Sequence, residues 1–93
     1  MKTYFPYKSD RKDKKFYIIT DSGKNIHFGA KGYQHYTEGH IDENRRIAYE
    51  NRHRKNEDWT KSGIDTAGFW SYWFLWKFKT YDEALTNIKK KYL

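Results

Sequence analysis

Thr66-Ala67-Gly68-Phe69-Trp70-Ser71-Tyr72-Trp73-Phe74-Leu75-Trp76 is the stretch around which this chain has to fold. Large apolar or aromatic side chains occupy seven of the eight positions from Phe69 to Trp76, all but Ser71, and three of the four tryptophans are among them. The chain as a whole is very polar, with a mean hydropathy of −1.20. Such a chain folds only if a few large side chains supply most of the buried apolar area, and each aromatic can bury about 150–250 Å². The stretch is therefore the expected keystone of the core. It also carries more ring surface than one small core readily hides. Trp59, Phe69, Trp70, Trp73, Phe74 and Trp76 are accordingly candidates for core or for a partner interface.

Thr66 suits the N-cap of a short helix, with Phe69, Trp70, Trp73, Phe74 and Trp76–Lys77 recurring at i, i+3 and i+4 intervals. A strand competes, because aromatic residues also favour pleated sheet; the spacing favours helix. Downstream, Thr80-Tyr81-Asp82-Glu83 matches a capping box, with Glu83 reaching back to Thr80. Ala84, Leu85, Ile88 and Tyr92 then form an apolar stripe, and Lys89, Lys90 and Lys91 suit the negative end of the helix dipole. A terminal helix is predicted over about residues 81–91.

Upstream, residues 1–14 read as an extended basic arm, since Phe5 precedes Pro6 and is pushed away from helical geometry. Lys15-Phe16-Tyr17-Ile18-Ile19-Thr20 has strand composition, Asp21-Ser22-Gly23-Lys24 has turn chemistry, and Asn25-Ile26-His27-Phe28 reads as the returning strand. A lone hairpin is marginal in water and needs a packing partner. Residues 29–39 read as an ordered loop whose Tyr33, His35 and Tyr36 cover the hairpin. A helix is predicted over about residues 41–55, with Ile41, Asn44, Ile47, Ala48 and Asn51 on its inner face. Asp42–Arg46 and Glu50–Arg54 are the expected ion pairs along it. Residues 55–65 form a polar connection anchored by Trp59 and broken at Gly63.

The predicted fold is thus a small α+β single domain over residues 1–93, an N-terminal β-hairpin with about three helical segments packed on an aromatic-rich core. No linker or internal repeat divides the chain. The absence of cysteine removes disulfides and thiolate metal sites, and fits a reducing compartment. Residues 1–15 lack the apolar segment of a secretory signal, and no apolar run approaches the roughly 20 residues that span a bilayer. A protein that is not secreted and has no membrane span is expected.

Nineteen Lys and Arg against twelve Asp and Glu give a net charge of +7, a field that attracts polyanions. Basic residues interleaved with rings are the one functional constellation. Lys14, Lys15 and Lys24 lie on the hairpin with Phe16, Tyr17, His27 and Phe28, and Arg45, Arg46, Arg52 and Arg54 lie on the helix that follows. Cations neutralise phosphates, and exposed rings stack on unpaired bases. The histidines show no zinc-ligand spacing, and helical geometry puts Asn44 and His53 of a conceivable His27–Asn44–His53 nuclease set on different faces. Ser22-Gly23-Lys24 and Lys61-Ser62-Gly63 are too short for phosphate loops and read as turns. Catalytic residues, metal ligands and cofactors are therefore all expected to be none.

Residues 24–29, 32–37, 52–54, 58–64 and 66–71, taken as ordered blocks (Lys24 to Gly29, Gly32 to Thr37, Arg52-His53-Arg54, Asp58 to Ile64, Thr66 to Ser71), resemble an uncharacterised family. Its members are short basic proteins encoded by large DNA viruses and related mobile elements. The resemblance spans about residues 8–90 and implies a viral gene product with no established activity. Tyr72 departs from the pattern, where a basic residue is common. The leading expectation is a non-enzymatic viral structural or accessory protein, in the virion or the host-cell cytoplasm or nucleus, that binds acidic surfaces of protein or nucleic acid. The alternative is a nucleic-acid-binding module acting through the hairpin and the arginine-bearing helix; a metal-dependent nuclease ranks third.

Overall fold

Alternation explains why two of the strands pair. In the computed structural model, which describes residues 2–32, 35–38 and 42–93, β2 (Lys14–Ile19) and β3 (Asn25–Ala30) run antiparallel around the turn at Gly23. Phe16 lies opposite Phe28, and Ile18 opposite Ile26, so one face of the pair is apolar. Tyr17 and His27 share the other face. Ile18 and Phe28 are almost wholly buried, which fixes the apolar face as the inner one.

The expected basic arm is not free. Its residues Tyr7–Lys8 form a short β1 that pairs antiparallel with β2, Tyr7 opposite Tyr17 and Lys8 opposite Phe16. The Tyr4 N–H extends the ladder by donating to the Ile19 carbonyl at 2.9 Å. The sheet therefore has three strands in the order β1-β2-β3. Extended geometry before Pro6 prepares the segment for the exposed edge of β2, and an edge is where proline is tolerated in a sheet.

Gly29 interrupts β3 with a φ of +79°, a conformation that L side chains rarely adopt. A Cβ there would also lie 2.8 Å from the Leu75 Cδ1 atom. The aromatic helix can thus approach the sheet closely only because this position is glycine.

Three helices follow the sheet: α1 (Glu43–His53), α2 (Ala67–Trp70), which packs on β3, and α3 (Tyr81–Tyr92). Thr66 caps α2 as the spacing predicts, its side chain accepting from the Phe69 N–H, and α2 continues as a π-helix over Ser71–Trp76. Closure of that wider turn is seen where the Lys77 N–H donates to the Tyr72 carbonyl at 2.9 Å. Phe69, Trp70, Tyr72, Phe74, Leu75 and Trp76 are buried, so the segment is apolar on almost every side and sits centrally. Phe74 meets Phe16 and Phe28 edge-on at 5.3 and 6.2 Å, and Trp70 lies 6.1 Å from Phe28. The buried indole N–H of Trp70 is satisfied by the Ile64 carbonyl at 2.8 Å. No helix among the described residues is long and apolar enough to cross a membrane.

Helix α3 matches its expected range closely. Thr80 accepts from the Glu83 N–H at 3.2 Å, while Ala84 and Ile88 are buried and Lys89, Lys90 and Lys91 occupy the last turn.

The inner face of α1 differs from the expected one. Asn44, Ile47, Ala48 and Asn51 are exposed, whereas Tyr49 and Glu50 are buried and Arg46 is half-buried; Ile41 lies outside the described residues. The large ring of Tyr49 decides the rotation, because it stacks on Trp76 at 4.5 Å and 9°. The same rotation turns Glu50 inward, where its Oε2 accepts from the Tyr72 hydroxyl at 2.6 Å and from Arg46 at 3.1 Å. Arg46 also pairs with Glu43, and Asp42 serves as N-cap, so neither expected ion pair is the one formed.

Burial pushes the phenols of Tyr49 and Tyr72 well above their ordinary range, and the bond to Glu50 raises Tyr72 further. A phenol pKa raised in the folded state contributes stability that is complete below the unfolded value of about 10 and is lost as pH rises past it. Alkaline absorbance titration should therefore show these two phenols ionising only as circular dichroism reports unfolding. Ionisation of all nine tyrosines in one step with the fold intact would contradict their placement.

Candidate functional site

Where the end of the sheet meets α1 and α2, side chains distant in sequence line one cleft of about 410 Å³. Lys14 enters it from the first position of β2, opposite Ala30 and on the inner-face side of Phe16. Helix α1 supplies Tyr49, Arg52 and His53, which share a face at i, i+3 and i+4. Ala67, Gly68 and Ser71 come from the start of the aromatic helix, and His35 and Trp76 complete the wall.

Backbone choices hold this cleft in shape. Gly29 lines it, and so does Gly68, where a Cβ would lie 2.9 Å from the Glu57 carboxyl carbon. Any side chain at 68 would displace Glu57, which accepts from the Trp59 indole at 3.1 Å and lies 3.1 Å from His53 Nδ1. That acid lines the cleft too and bonds to His53 and Trp59, so the cleft holds one carboxylate beside two cations, half-buried Lys14 and exposed Arg52.

The other sequence-derived cations are dispersed. Lys15 lies with its Nζ 2.8 Å from His35 Nδ1, beside a second hollow lined by Lys8 and Lys31. Lys24 is exposed at the turn, Arg45 and Arg54 are exposed on α1, and Arg46 is held by Glu43 and Glu50. Arg45 precedes Arg52 by seven residues and so lies on the same side of α1, two turns away. Of the seven, the structure brings Lys14 and Arg52 together in the cleft.

The aromatic candidates resolve as core. Phe69, Trp70, Phe74 and Trp76 are buried; Trp59 and Trp73 are half-buried and packed against them. Trp59 stacks on Tyr72 at 3.8 Å, and the Trp73 indole donates to the Trp59 carbonyl at 2.8 Å. Among the described residues the large hydrophobics left exposed are Ile47 and Leu93.

The His27–Asn44–His53 set is not assembled. His27 sits on the outer sheet face, 2.7 Å from Ser9 Oγ, with its ring against Tyr17 in a row that continues to Tyr7. His53 belongs to the cleft, and Asn44 is exposed. His40 lies outside the described residues, as does Tyr33 of the 29–39 loop, while His35 and Tyr36 of that loop are buried. Among the described residues no group of three or more His, Asp or Glu side chains is placed to hold a metal ion. Lys61–Gly63 is a 3₁₀ turn whose flank is tied by Asp58; hydrogen bonds from Thr60 hold that carboxyl below its ordinary range.

Sequence reasoning missed Glu57, Tyr49, Gly29 and Gly68 as parts of the cleft. The one signal for Glu57 was its position four residues after His53; the others become visible only once α1 is rotated as Tyr49 requires.

A three-stranded antiparallel sheet followed by three helices, with Lys14 and Arg52 lining one cleft, defines a small α+β domain. Residues 7–53 match the model of a family of unknown function (DUF5754), and the chain belongs to that family. No curated protein and no solved structure matches it. The matched stretch contains Lys14, Arg52 and His53 and ends before the aromatic helix.

Proposed function

We propose that this protein is a non-enzymatic nucleic-acid-binding module whose contact surface is the cleft between the sheet end and α1. The observation that carries the reading is the convergence of Lys14 and Arg52 on one cleft with aromatic walls. Hairpin and arginine-bearing helix, separate in sequence, there present cations to a common ligand. Arg45, two turns along α1, extends the basic track. Burial of the aromatic helix removes the large exposed ring patch that an assembly interface would need. The wider reading, a viral structural or accessory protein of virion or host cell, is compatible with such a module and rests on the sequence resemblance.

Fluorescence anisotropy with random-sequence DNA, RNA and heparin over a salt series tests the proposal. Each phosphate neutralised on duplex DNA contributes a log–log salt slope of about −0.9. Replacing both cations (Lys14→Ala/Arg52→Ala) is expected to flatten the duplex slope by close to two such increments and to weaken binding, whereas Lys12→Ala/Lys90→Ala leaves the cleft intact and should do much less. Equal losses in the two double variants would mean a generic basic surface. Absence of binding at low salt would end the nucleic-acid reading.

A further inference from the structure

Tyr49 stands in the middle of a column of rings that lines the cleft. Trp76 stacks on it at 4.5 Å and 9°, and His53 stacks on it at 4.3 Å and 23°. Two rings that near to Tyr49 on one side would touch each other, and Trp76 and His53 make no ring contact. They therefore flank it on opposite faces. All three rings line the cleft; Trp76 is the buried end of the column, and the His53 side chain is 39% exposed.

The His53 ring is the more exposed end of this column. Tyr49 is its ring partner among the described residues, and Glu57, 3.1 Å from Nδ1, fixes the plane of the imidazole. A ring held at a set tilt presents a stacking surface without the entropy cost of ordering it on binding. Arg52 is its neighbour in the chain, and Lys14 lines the same cleft. The charges facing His53 here are Lys14, Arg52 and Glu57, and the acid is already shared between His53 and the Trp59 indole.

We infer that the cleft seats one unpaired nucleotide, its base stacked on His53 as the next ring of the column and its phosphate set against Lys14 and Arg52. Rings stack on any base because every base has a π-face, and phosphate neutralisation supplies the rest of the affinity. A volume of about 410 Å³ suits one small ligand and not a duplex, whose bases are already stacked and paired. The ligand class is thus single-stranded nucleic acid. This inference rests on the cleft being the nucleic-acid surface proposed above.

The test compares a 12-nucleotide single strand, as RNA and as DNA of the same sequence, with its duplex and with an abasic strand of equal length. Binding is measured by anisotropy with wild type, His53→Ala and His53→Phe, each checked for an unchanged melting temperature. The base-bearing strand should bind wild type about tenfold more tightly than the abasic strand, the scale of one stacking contact. His53→Ala should erase that preference and His53→Phe, which restores a ring, should keep it. Retention of the preference in His53→Ala would overturn the inference. Equal, steeply salt-dependent binding of abasic and base-bearing strands by wild type would overturn the stacked base while leaving the basic cleft standing, whereas loss of all binding would remove both. The RNA and DNA arms identify which sugar is preferred, and the stacking contact is required in whichever binds more tightly.

Discussion

Trp70→Ala is expected to remove most of the domain's stability and bring it near its unfolding midpoint at room temperature. Trp70 is fully buried between the sheet and the helices, against Phe28 and Phe69, and its indole N–H occupies the Ile64 carbonyl. Truncating a core tryptophan costs about 3–5 kcal/mol, and whole domains are stable by only about 5–15 kcal/mol. A 93-residue chain with few aliphatic core residues belongs at the lower end of that range. Trp73→Ala should be milder, because Trp73 is half-buried and its outer side is covered by Lys91. Thermal melting by circular dichroism separates the two. A Trp70→Ala variant that melts like wild type would contradict the keystone role of the aromatic helix.

Glu50→Ala carries the next largest expected effect, about 2–4 kcal/mol, since removing one member of a buried hydrogen-bonded pair leaves its partners unsatisfied. Glu50 joins α1 to the π-helix by accepting from Tyr72, and it neutralises Arg46. Arg46 retains Glu43, which tempers the loss. Glu50→Gln keeps an acceptor for Tyr72 and should recover much of the stability in a chemical denaturation series. If Glu50→Ala unfolds at the same denaturant concentration as wild type, the contact between α1 and the π-helix does not hold the two together.

How much of this could be seen in the sequence depends on how local the determining physics is. The β2–β3 hairpin was legible because Phe16, Ile18, Ile26 and Phe28 alternate around a Gly23 turn. The ends of α2 and α3 were legible because Thr66 and Thr80 cap within three residues of themselves. Pairing of Tyr7–Lys8 with β2 was not, since two residues carry no periodicity and the edge they join is defined elsewhere. The face of α1 was misread because Ile47 and Ala48 look apolar in isolation, whereas Tyr49 has Trp76 and Trp59 to stack on and Glu50 has Tyr72. The π-helical register after Trp70 also has no local signature; it buries Tyr72 and Leu75, which a regular helical pattern placed off the core face. The candidate site follows the same division. Lys14 and Arg52 were identified as cations, but their meeting depends on the rotation of α1, as does the exposure of His53 at the end of the ring column.

The most direct measurement is a ¹H–¹⁵N titration of the isotope-labelled protein with a short single-stranded oligonucleotide. Shifts concentrated at the amides of Arg52, His53, Gly68 and Ser71, with the Trp76 indole following them, are the result expected if the cleft is the contact surface. Shifts confined to Tyr7 and Tyr17, on the outer face of the sheet, would contradict it.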